Sequence, residues 1–315
     1  MQAFFPFLIN QMTRPSRPLC QPSLHRAISH VTLSAMSKNT SYKTLLSKQA
    51  DQVLHITLNR PEKLNALSPT LLAELKSALE SAKGDETVSV VVIRATGRVF
   101  SAGYDLSEKD WIISQFPADF EHGVDLQKDR EDIIDLLNYW LDMWKFPKPI
   151  IAEIHGACLS GAGELLAVSD IAIASPDASF GHPAARDLGI PPTMFLWPLL
   201  IGLRKTKELL YTAKSINAAE AKNLGLINDV VPSDDLTQHV NALALDIAKT
   251  PINHLALLKE STNNWYENMG LETSTLQAAD LDAVFHQSPT FKAFFDIVRK
   301  DGMKAALKAR KKRFG

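Results

Sequence analysis

Strand-like and helix-like segments alternate along the chain from Gln52 onward. Val53 to Leu58 alternates apolar with polar or mixed positions like a half-buried strand, and residues 88–95 form a nearly continuous β-branched run typical of a strand buried on both faces. Ser68 followed by Pro69 predicts a helix start, since the pair supplies an N-cap and a proline at the first helical position. Such an alternating order favours parallel strands with crossover helices, so the sequence predicts an α/β fold.

Beyond Asn217 the chain is predicted to be mostly helical, with helices over residues 218–224, 236–249, 252–269, 271–285 and 291–310, the last as one long helix. Nearer the centre, residues 106–130 are polar and irregular, which predicts a mobile loop or short helices. The elements predicted after it are a helix over 132–144, a strand over 150–154, a helix over 161–168 and a strand over 170–174. The chain then divides into a targeting or disordered segment at 1–40, a β/α core at 51–245 and a C-terminal helical subdomain at 246–315.

Composition excludes several classes of protein. The chain has 315 residues with a formal net charge of -1, so it lacks the basic surplus that nucleic-acid binding needs. No stretch approaches the roughly 20 apolar residues that span a bilayer. The two cysteines, Cys20 and Cys158, are too few and too distant for a disulfide framework or a metal site, which fits a reducing compartment. We therefore expect no metal, no nucleic acid and no membrane span.

The first 50 residues contain no Asp or Glu, but they carry six basic residues: Arg14, Arg17, Arg26, Lys38, Lys43 and Lys48. A basic, Ser-rich, acid-free segment is typical of a mitochondrial transit peptide, although a disordered extension without an address has the same composition. Met36 could start a cytoplasmic form. The final residues, 312–315, are not the Ser-Lys-Leu signal, so a peroxisomal location would have to be reached without it. The sequence favours the mitochondrial location.

Two glycine-containing segments stand out in the predicted core. Residues 99–106 (VFSAGYDL) follow a buried strand, and residues 155–165 (HGACLSGAGEL) lie between a strand and a helix start. Each places small residues where backbone must come close to another group, and neither has the spacing of a phosphate-binding loop. Taken alone, each could be an ordinary turn.

Four segments in order resemble motifs of the crotonase (enoyl-CoA hydratase/isomerase) superfamily, and they are residues 59–67 (NRPEKLNAL), 100–106 (FSAGYDL), 150–170 and 301–314. The resemblance implies a crotonase-like β/α spiral core with a C-terminal helical subdomain that covers coenzyme A and takes part in oligomer formation. It also implies an acyl-CoA substrate, no cofactor beyond the coenzyme A of that substrate, and a homotrimer or dimer of trimers.

The resemblance also assigns roles to individual residues. The N–H groups of Tyr104 and Gly161 would form an oxyanion hole that stabilises a thioester enolate, and Glu164 would be a general acid/base. Glu164 could instead have no catalytic role and only complement the positive end of its helix dipole, as glutamates in a first helical turn often do. The remaining expected substrate-binding residues lie in the first two motifs and are Lys63, Leu64, Ala66, Ser101, Ala102, Gly103 and Asp105.

One position departs clearly from the family pattern. Ala184 stands where hydratases carry their second glutamate, and residues 188–193 supply no acid in its place. His182, Arg186 and Asp187 are candidates to compensate for the missing acid. His182 could take a direct part or be a hydrogen-bonding core group. For Arg186 and Asp187 we favour a simple ion pair in a loop over a part in the chemistry. We further expect Asp170 and the pair Trp140 and Trp144 to be structural, and the Tyr104 phenol to line the acyl pocket.

The leading hypothesis is therefore an enoyl-CoA hydratase-like lyase that uses Glu164. An enoyl- or dienoyl-CoA isomerase is the first alternative, because moving one proton between C2 and C4 needs a single base. An acyl-CoA decarboxylase or thioester hydrolase is the second. A family member that binds acyl-CoA without turning it over is the non-enzymatic alternative, and Ala184 is the feature that favours it.

Overall fold

The computed structural model describes residues 42–106, 124–189 and 196–314, which belong to one unit spanning Ser37–Gly315. The predicted targeting or disordered segment at 1–40 lies outside the described residues, as does most of the predicted irregular loop over 106–130. Among the helices that are described, none combines the length and the apolar character needed to cross a membrane.

Two sheets carry the described strands, which are β1 Leu45–Ala50, β2 Val53–Leu58, β3 Val90–Ala95, β4 Ile150–Ile154, β5 Ala157–Leu159, β6 Ile171–Ala174, β7 Ser179–Gly181, β8 Ile216–Asn217 and β9 Asp229–Val230. The larger sheet has the order β1-β2-β3-β4-β6-β9, and the smaller has the order β5-β7-β8. From β2 to β9 every neighbouring pair of the larger sheet is parallel, which confirms the predicted α/β pattern.

Strand β1 was not predicted from the sequence. It runs antiparallel to β2, with Leu45 opposite Leu58 and Ala50 opposite Val53. Only its first residue is fully buried, and the strand carries the polar residues Ser47, Lys48 and Gln49. As an edge strand it has one solvated side, so its apolar pattern is too weak to signal a strand before its partner is known.

The described helices are α1 Pro69–Lys83, α2 Leu126–Trp144, α3 Ala162–Val168, α4 Trp197–Leu200, α5 Leu203–Thr212, α6 Ala218–Leu224, α7 Ser233–Ile247, α8 Ile252–Asn268, α9 Leu271–His286, α10 Pro289–Asp301 and α11 Met303–Phe314. The predicted cap of α1 is confirmed, because Ser68 Oγ accepts a hydrogen bond from the Leu71 N–H at 3.2 Å. Such a cap satisfies one of the N–H groups that a helix start leaves without a helical partner.

Two predicted helices differ clearly from the structure, one at its start and the other in its interior. Helix α2 begins six residues earlier than the predicted 132, because Asp125 caps it by accepting from the Lys128 N–H. The single helix predicted over 291–310 is two helices, α10 and α11, which are separated at Gly302. Gly302 has a φ of 82°, a left-handed conformation that glycine adopts without strain and that ends a helix.

The fold brings both glycine segments to one edge of the larger sheet. Strands β3 and β4 are parallel neighbours, and each glycine segment follows the carboxyl end of one of them. Backbone hydrogen bonds join the two segments. The Phe100 N–H donates to the His155 carbonyl, and the Ser101 N–H donates to the Ala157 carbonyl. The two loops that the sequence singled out therefore lie side by side.

Candidate active site

The first wall of the site is the turn formed by residues 60–67. Leu64 and Asn65 have φ values of 54° and 50°, an unusual pair of left-handed residues that need external support. The Asn65 side chain gives that support, since its Oδ1 accepts from the Arg60 N–H and its Nδ2 donates to the carbonyls of Thr96 and Val99. Asn65 is completely buried, so these bonds are shielded from water.

The turn presents its backbone to the first glycine loop. The Leu64 carbonyl accepts from the Ala102 N–H at 3.1 Å, and the Leu67 N–H donates to the Gly103 carbonyl at 2.8 Å. The predicted coenzyme A-contacting residues, Lys63, Leu64 and Ala66, thus lie beside the predicted loop of residues 101–105.

Asn65 and Arg60 also shape this wall, but we predicted no role for them. Both stand in the same motif as the predicted residues.

The first glycine loop is fixed at both ends. Ser101 is fully buried and its Oγ accepts from the Gly103 N–H, while the Asp105 N–H donates to the Leu67 carbonyl. Asp105 also forms an ion pair with Arg60, with 2.9 Å between Oδ2 and Nη2. Tyr104 stands between these anchors, so its backbone has little freedom.

The second glycine loop turns sharply into helix α3. Ser160 has a φ of 49°, and its N–H donates to the carbonyl of Gly181 on β7. Gly161 is the N-cap of α3, and among the described residues no hydrogen bond from its N–H to an acceptor is found. This N–H is therefore a candidate to bind a ligand oxygen, as predicted.

The two loops approach each other as closely as backbone allows. Gly103 has a φ of 93°, and a Cβ placed on it would lie 2.9 Å from the Gly161 nitrogen and 2.8 Å from the Leu159 carbonyl oxygen. Any side chain at Gly103 would therefore push the loops apart. The structure thus brings together the two predicted oxyanion residues, Tyr104 and Gly161, on facing backbones.

Glu164 lies in the first turn of α3, and its N–H donates to the Gly161 carbonyl at 3.1 Å. The residue is 3% exposed, and every residue of this short helix is buried. A carboxylate held in such surroundings is shielded from bulk water and stands one turn from the Gly161 N–H. The predicted general acid/base is therefore next to the predicted oxyanion hole.

The Tyr104 side chain lies directly on the second loop. A Cβ on Gly161 would be 2.7 Å from Tyr104 Cε2, so the ring lies against the Gly161 backbone. The phenol oxygen accepts a hydrogen bond of 2.8 Å from the indole N–H of Trp140 on α2. Trp140 and Trp144 are both buried in the core, as expected.

The segment that departs from the family pattern forms a short 3-10 helix, Pro183–Arg186, which contains Ala184. The predicted ion pair between Arg186 and Asp187 was wrong. Asp187 instead pairs with Arg310 of α11, with 2.6 Å between Oδ1 and Nε, while Arg186 donates to the Thr212 carbonyl. The side chains of Arg186 and Asp187 thus bind different partners, and Arg310, 123 positions further along the chain, is the residue that binds the Asp187 carboxylate.

His182 precedes that short helix and is 7% exposed. Burial, together with the nearby charge of Arg310, lowers the pKa of His182 to about 4, so its ring is neutral at physiological pH. Its Nδ1 has no hydrogen-bond partner among the described residues. The burial of His182 fits both predicted roles, because the proposed catalytic residue Glu164 is buried as well. Residues 190–195 of the adjoining segment lie outside the described residues.

Asp170 and the C-terminal helix tie the site to its surroundings. Asp170 accepts a hydrogen bond of 2.7 Å from the Ile150 N–H and forms an ion pair with Lys259 at 2.8 Å, so the expected structural role is confirmed.

Arg310 is a basic residue near the C-terminus whose side chain binds inside the fold. It donates to the Pro183 carbonyl as well as to Asp187. Its guanidinium also lies 5.8 Å from the centre of the Phe314 ring.

A parallel sheet with two facing glycine loops, a buried glutamate beside them and a helical C-terminal part defines a protein of the crotonase fold class. The family model for enoyl-CoA hydratase/isomerase matches residues 48–314. The chain therefore belongs to the enoyl-CoA hydratase/isomerase family, and the predicted family and fold class are confirmed.

Similar proteins agree with this assignment. A Dictyostelium discoideum protein named as a probable mitochondrial enoyl-CoA hydratase is 33% identical over 78% of this chain and 85% of its own. The peroxisomal Delta(3,5)-Delta(2,4)-dienoyl-CoA isomerase of Arabidopsis thaliana is 34% identical over 67% of this chain and 79% of its own. The crystal structure of an enoyl-CoA hydratase from Mycobacterium smegmatis superposes with a TM-score of 0.78 at 29% identity, covering 86% of this chain and 94% of the other.

Proposed function

We propose that this protein hydrates a 2-enoyl-CoA thioester, with Glu164 as general acid/base and the N–H groups of Tyr104 and Gly161 as the oxyanion hole. The close approach of the two glycine loops carries this proposal, because the Cβ position of Gly103 lies only 2.9 Å from the Gly161 nitrogen. Backbones this close can direct two N–H groups at one oxygen atom, which is how an enolate is stabilised.

The proposed reaction needs one carboxylate. Glu164 takes a proton from a water molecule as the water oxygen attacks C3, and the electrons of the C2–C3 double bond move onto the thioester oxygen as an enolate. Tyr104 and Gly161 hold that oxygen while the charge is present. Protonated Glu164 then gives its proton to C2, the carbonyl re-forms, and the product is a 3-hydroxyacyl-CoA. Such acid/base catalysis typically contributes about 10²–10⁴-fold to the rate.

Substrate binding follows the same geometry. We assign Lys63, Leu64 and Ala66 to the coenzyme A moiety, and Ser101, Ala102, Gly103 and Asp105 to the loop that holds the thioester. Support comes from the hydrogen bonds that join the two segments at Ala102 and Gly103. In this proposal no cofactor other than the coenzyme A of the substrate takes part, so dialysis against a chelator should leave the activity unchanged.

The decisive experiment is a panel of trans-2-enoyl-CoA substrates in H2¹⁸O, read by product mass, for wild type and Glu164→Gln. Wild type should incorporate solvent oxygen, and Glu164→Gln should lose at least about a hundredfold in kcat. Glu153→Gln is the matched control, because Glu153 is a second buried glutamate outside the site. If wild type adds no water to any substrate, or if Glu164→Gln keeps full activity, the proposal is wrong.

Double-bond isomerisation is the second candidate, and the residue at position 184 favours it. Ala184 cannot carry a proton, and moving a double bond needs only one group that removes a proton at one carbon and returns it at another. The Arabidopsis relative is named as such an isomerase. This candidate is tested with 3-enoyl- and 3,5-dienoyl-CoA substrates, whose isomerised products contain no ¹⁸O and are recognised by a changed ultraviolet absorbance at unchanged mass.

We also propose a mitochondrial location and a homotrimer or dimer of trimers. The acid-free N-terminal segment supports the location, and the name of the Dictyostelium relative agrees with it. Exposed apolar side chains on α8, on α9 and in the turn between them support the oligomer, and they include Leu257, Trp265, Met269, Leu281 and Val284. Imaging of a C-terminally tagged chain in cells tests the mitochondrial location. Light scattering of the purified protein tests the oligomeric state, and a monomer would contradict the proposal.

A further inference from the structure

We propose that Trp140 is a positioning residue for the oxyanion hole, because its indole N–H holds the Tyr104 side chain against Gly161 and so sets the spacing of the two donors. This inference rests on the proposed function, since it concerns the same oxyanion hole. It adds a residue that contacts no reacting atom and that the sequence suggested only as helix core.

The Tyr104 side chain physically joins the two donors. Its own backbone N–H is one of them, and its ring lies on the residue that supplies the other. The Cβ position of Gly161 is 2.7 Å from Cε2, 2.8 Å from Cδ2 and 3.0 Å from Cζ of that ring, so one whole edge of the ring rests on the glycine. Glycine at 161 is therefore needed for the ring as well as for the turn. Any shift of the ring changes the separation of Tyr104 and Gly161.

Trp140 holds the far end of the ring. Its side chain is fully buried, and a buried indole N–H normally has a hydrogen-bond partner. The phenol oxygen of Tyr104 is that partner, at 2.8 Å. Trp140 is fully buried and Tyr104 is half-buried, so the bond is partly shielded from water.

Trp140 itself is fixed by the residue beside it. Tyr139 packs edge-on against the Trp140 ring, with 4.9 Å between ring centres, and its hydroxyl donates to the Leu72 carbonyl of α1. A continuous set of contacts thus runs from α1 through α2 to Tyr104 and Gly161. Catalytic groups have to be held within about 0.5 Å of their working geometry, and side chains locked by a supporting layer are how proteins achieve it.

Three variants test the proposal by steady-state kinetics on an enoyl-CoA that wild type hydrates. Trp140→Phe removes the donor, Tyr104→Phe removes the acceptor but keeps the ring on Gly161, and the third variant combines them. We expect kcat to fall about tenfold in each, less than the 10²–10³-fold loss of a whole oxyanion donor, with KM changed less than about twofold. The double variant should be no worse than Tyr104→Phe, because the shared bond is already gone.

Trp144→Phe is the matched control. Trp144 lies one turn further along the same face of α2, is also buried, and donates its indole N–H to Glu267 instead. The Trp144→Phe variant should lose about as much thermal stability as Trp140→Phe, but its kcat should equal that of wild type. An equal fall in kcat for Trp140→Phe and Trp144→Phe, or none for Trp140→Phe, overturns the proposal.

Infrared spectra of bound [1-¹³C]butyryl-CoA separate this proposal from the proposed function, since the saturated thioester cannot be hydrated. Hydrogen bonds from an oxyanion hole lower the carbonyl stretching frequency. In Trp140→Phe and Tyr104→Phe that frequency should move back toward the value of the free thioester, and in Trp144→Phe it should equal the wild-type value. If wild type and the three variants show these frequencies but wild type hydrates nothing, the proposed function fails and the role of Trp140 stands. If wild type hydrates its substrate and the variants leave the frequency unchanged, the role of Trp140 fails alone. A wild-type protein that binds butyryl-CoA without any shift overturns both.

Discussion

Arg60 and Asp105 form an ion pair that joins the turn of residues 60–67 to the glycine loop carrying Tyr104, with Nη2 and Oδ2 separated by 2.9 Å. Both side chains are largely buried, at 11% and 4% exposure, so the pair is poorly screened by solvent. The same guanidinium also donates to the Ala66 carbonyl. The Arg60 side chain therefore adds to the backbone hydrogen bonds that join the two segments proposed to bind coenzyme A and the thioester.

Replacing Asp105 by Asn should weaken this connection. The amide keeps the size of the carboxylate and one acceptor oxygen but loses the charge, so we expect the free energy of unfolding to fall by about 1–2 kcal/mol. KM for the enoyl-CoA should rise several-fold, because the coenzyme A wall is no longer held against the loop. Urea unfolding and steady-state kinetics measure the two effects. Asp246→Asn, in an exposed pair with Lys249, should change neither, and an unchanged KM in Asp105→Asn would contradict the prediction.

Adding a single methyl group at Gly161 should disable the site. The new Cβ would lie 2.7 Å from the Tyr104 ring, so the ring or the loop has to move, and kcat should fall about a hundredfold. Gly84→Ala is the control, because no atom lies within 4 Å of its Cβ position, and its kcat should equal that of wild type. The collision also predicts a compensation: Tyr104→Ala in the Gly161→Ala background should recover thermal stability. A Gly161→Ala variant with wild-type kcat would show that the ring does not rest there.

His182 should make the protein less stable in mild acid. Its pKa is about 4 in the folded chain against 6.5 for an ordinary histidine, so the unfolded chain binds a proton more readily between these values. The contribution of this group is therefore fully present above pH 6.5 and is lost as the pH falls toward 4. Between pH 7 and pH 5 the stability of wild type relative to His182→Gln should drop by about 2 kcal/mol. Urea titrations at the two pH values give this difference, and a constant difference would refute the assignment.

The ion pair of Lys259 and Asp170 should matter for folding and little for chemistry. Both side chains are mostly buried, and Asp170 also accepts a hydrogen bond from the Ile150 N–H. Lys259→Met would therefore leave the Asp170 carboxylate in the core without its counter-charge. We expect a loss of about 3–5 kcal/mol in the free energy of unfolding, with kcat close to wild type for the protein that remains folded. Lys145→Met removes an exposed pair with Glu272 and should have little effect on stability, so similar losses in the two variants would count against the burial argument.

The parts of the fold that local sequence determines were predicted well. Ser68 and Pro69 mark the start of α1, because a cap depends on residues three or four positions apart. The candidate site residues were assigned through the resemblance of four segments to one family, and small residues such as Gly103 stand in those segments where close backbone contact excludes a side chain. Such requirements are present in a single segment of sequence.

What could not be predicted depends on partners distant in sequence. The pairing of Asp187 with Arg310 spans 123 residues, and nothing in the local segment favours it over the adjacent Arg186. Likewise, the hydrogen bond from Trp140 to Tyr104 joins α2 to a loop, so a pattern of helical spacing identifies Trp140 only as core. The break at Gly302 was missed for another reason: one glycine in a helical run costs only about 1 kcal/mol, so the pattern alone does not decide between a kink and a continuous helix.

The bond between Arg310 and the segment at 183–187 also orders events during synthesis. On the ribosome, residues 183–187 leave the exit tunnel long before the residue that binds them, since Arg310 follows Asp187 by 123 positions. Until α11 has been made, the Asp187 carboxylate and the Pro183 carbonyl lack this partner, and water has to satisfy them instead. A nascent chain can therefore pair Asp187 with its partner only after Arg310 has been synthesised.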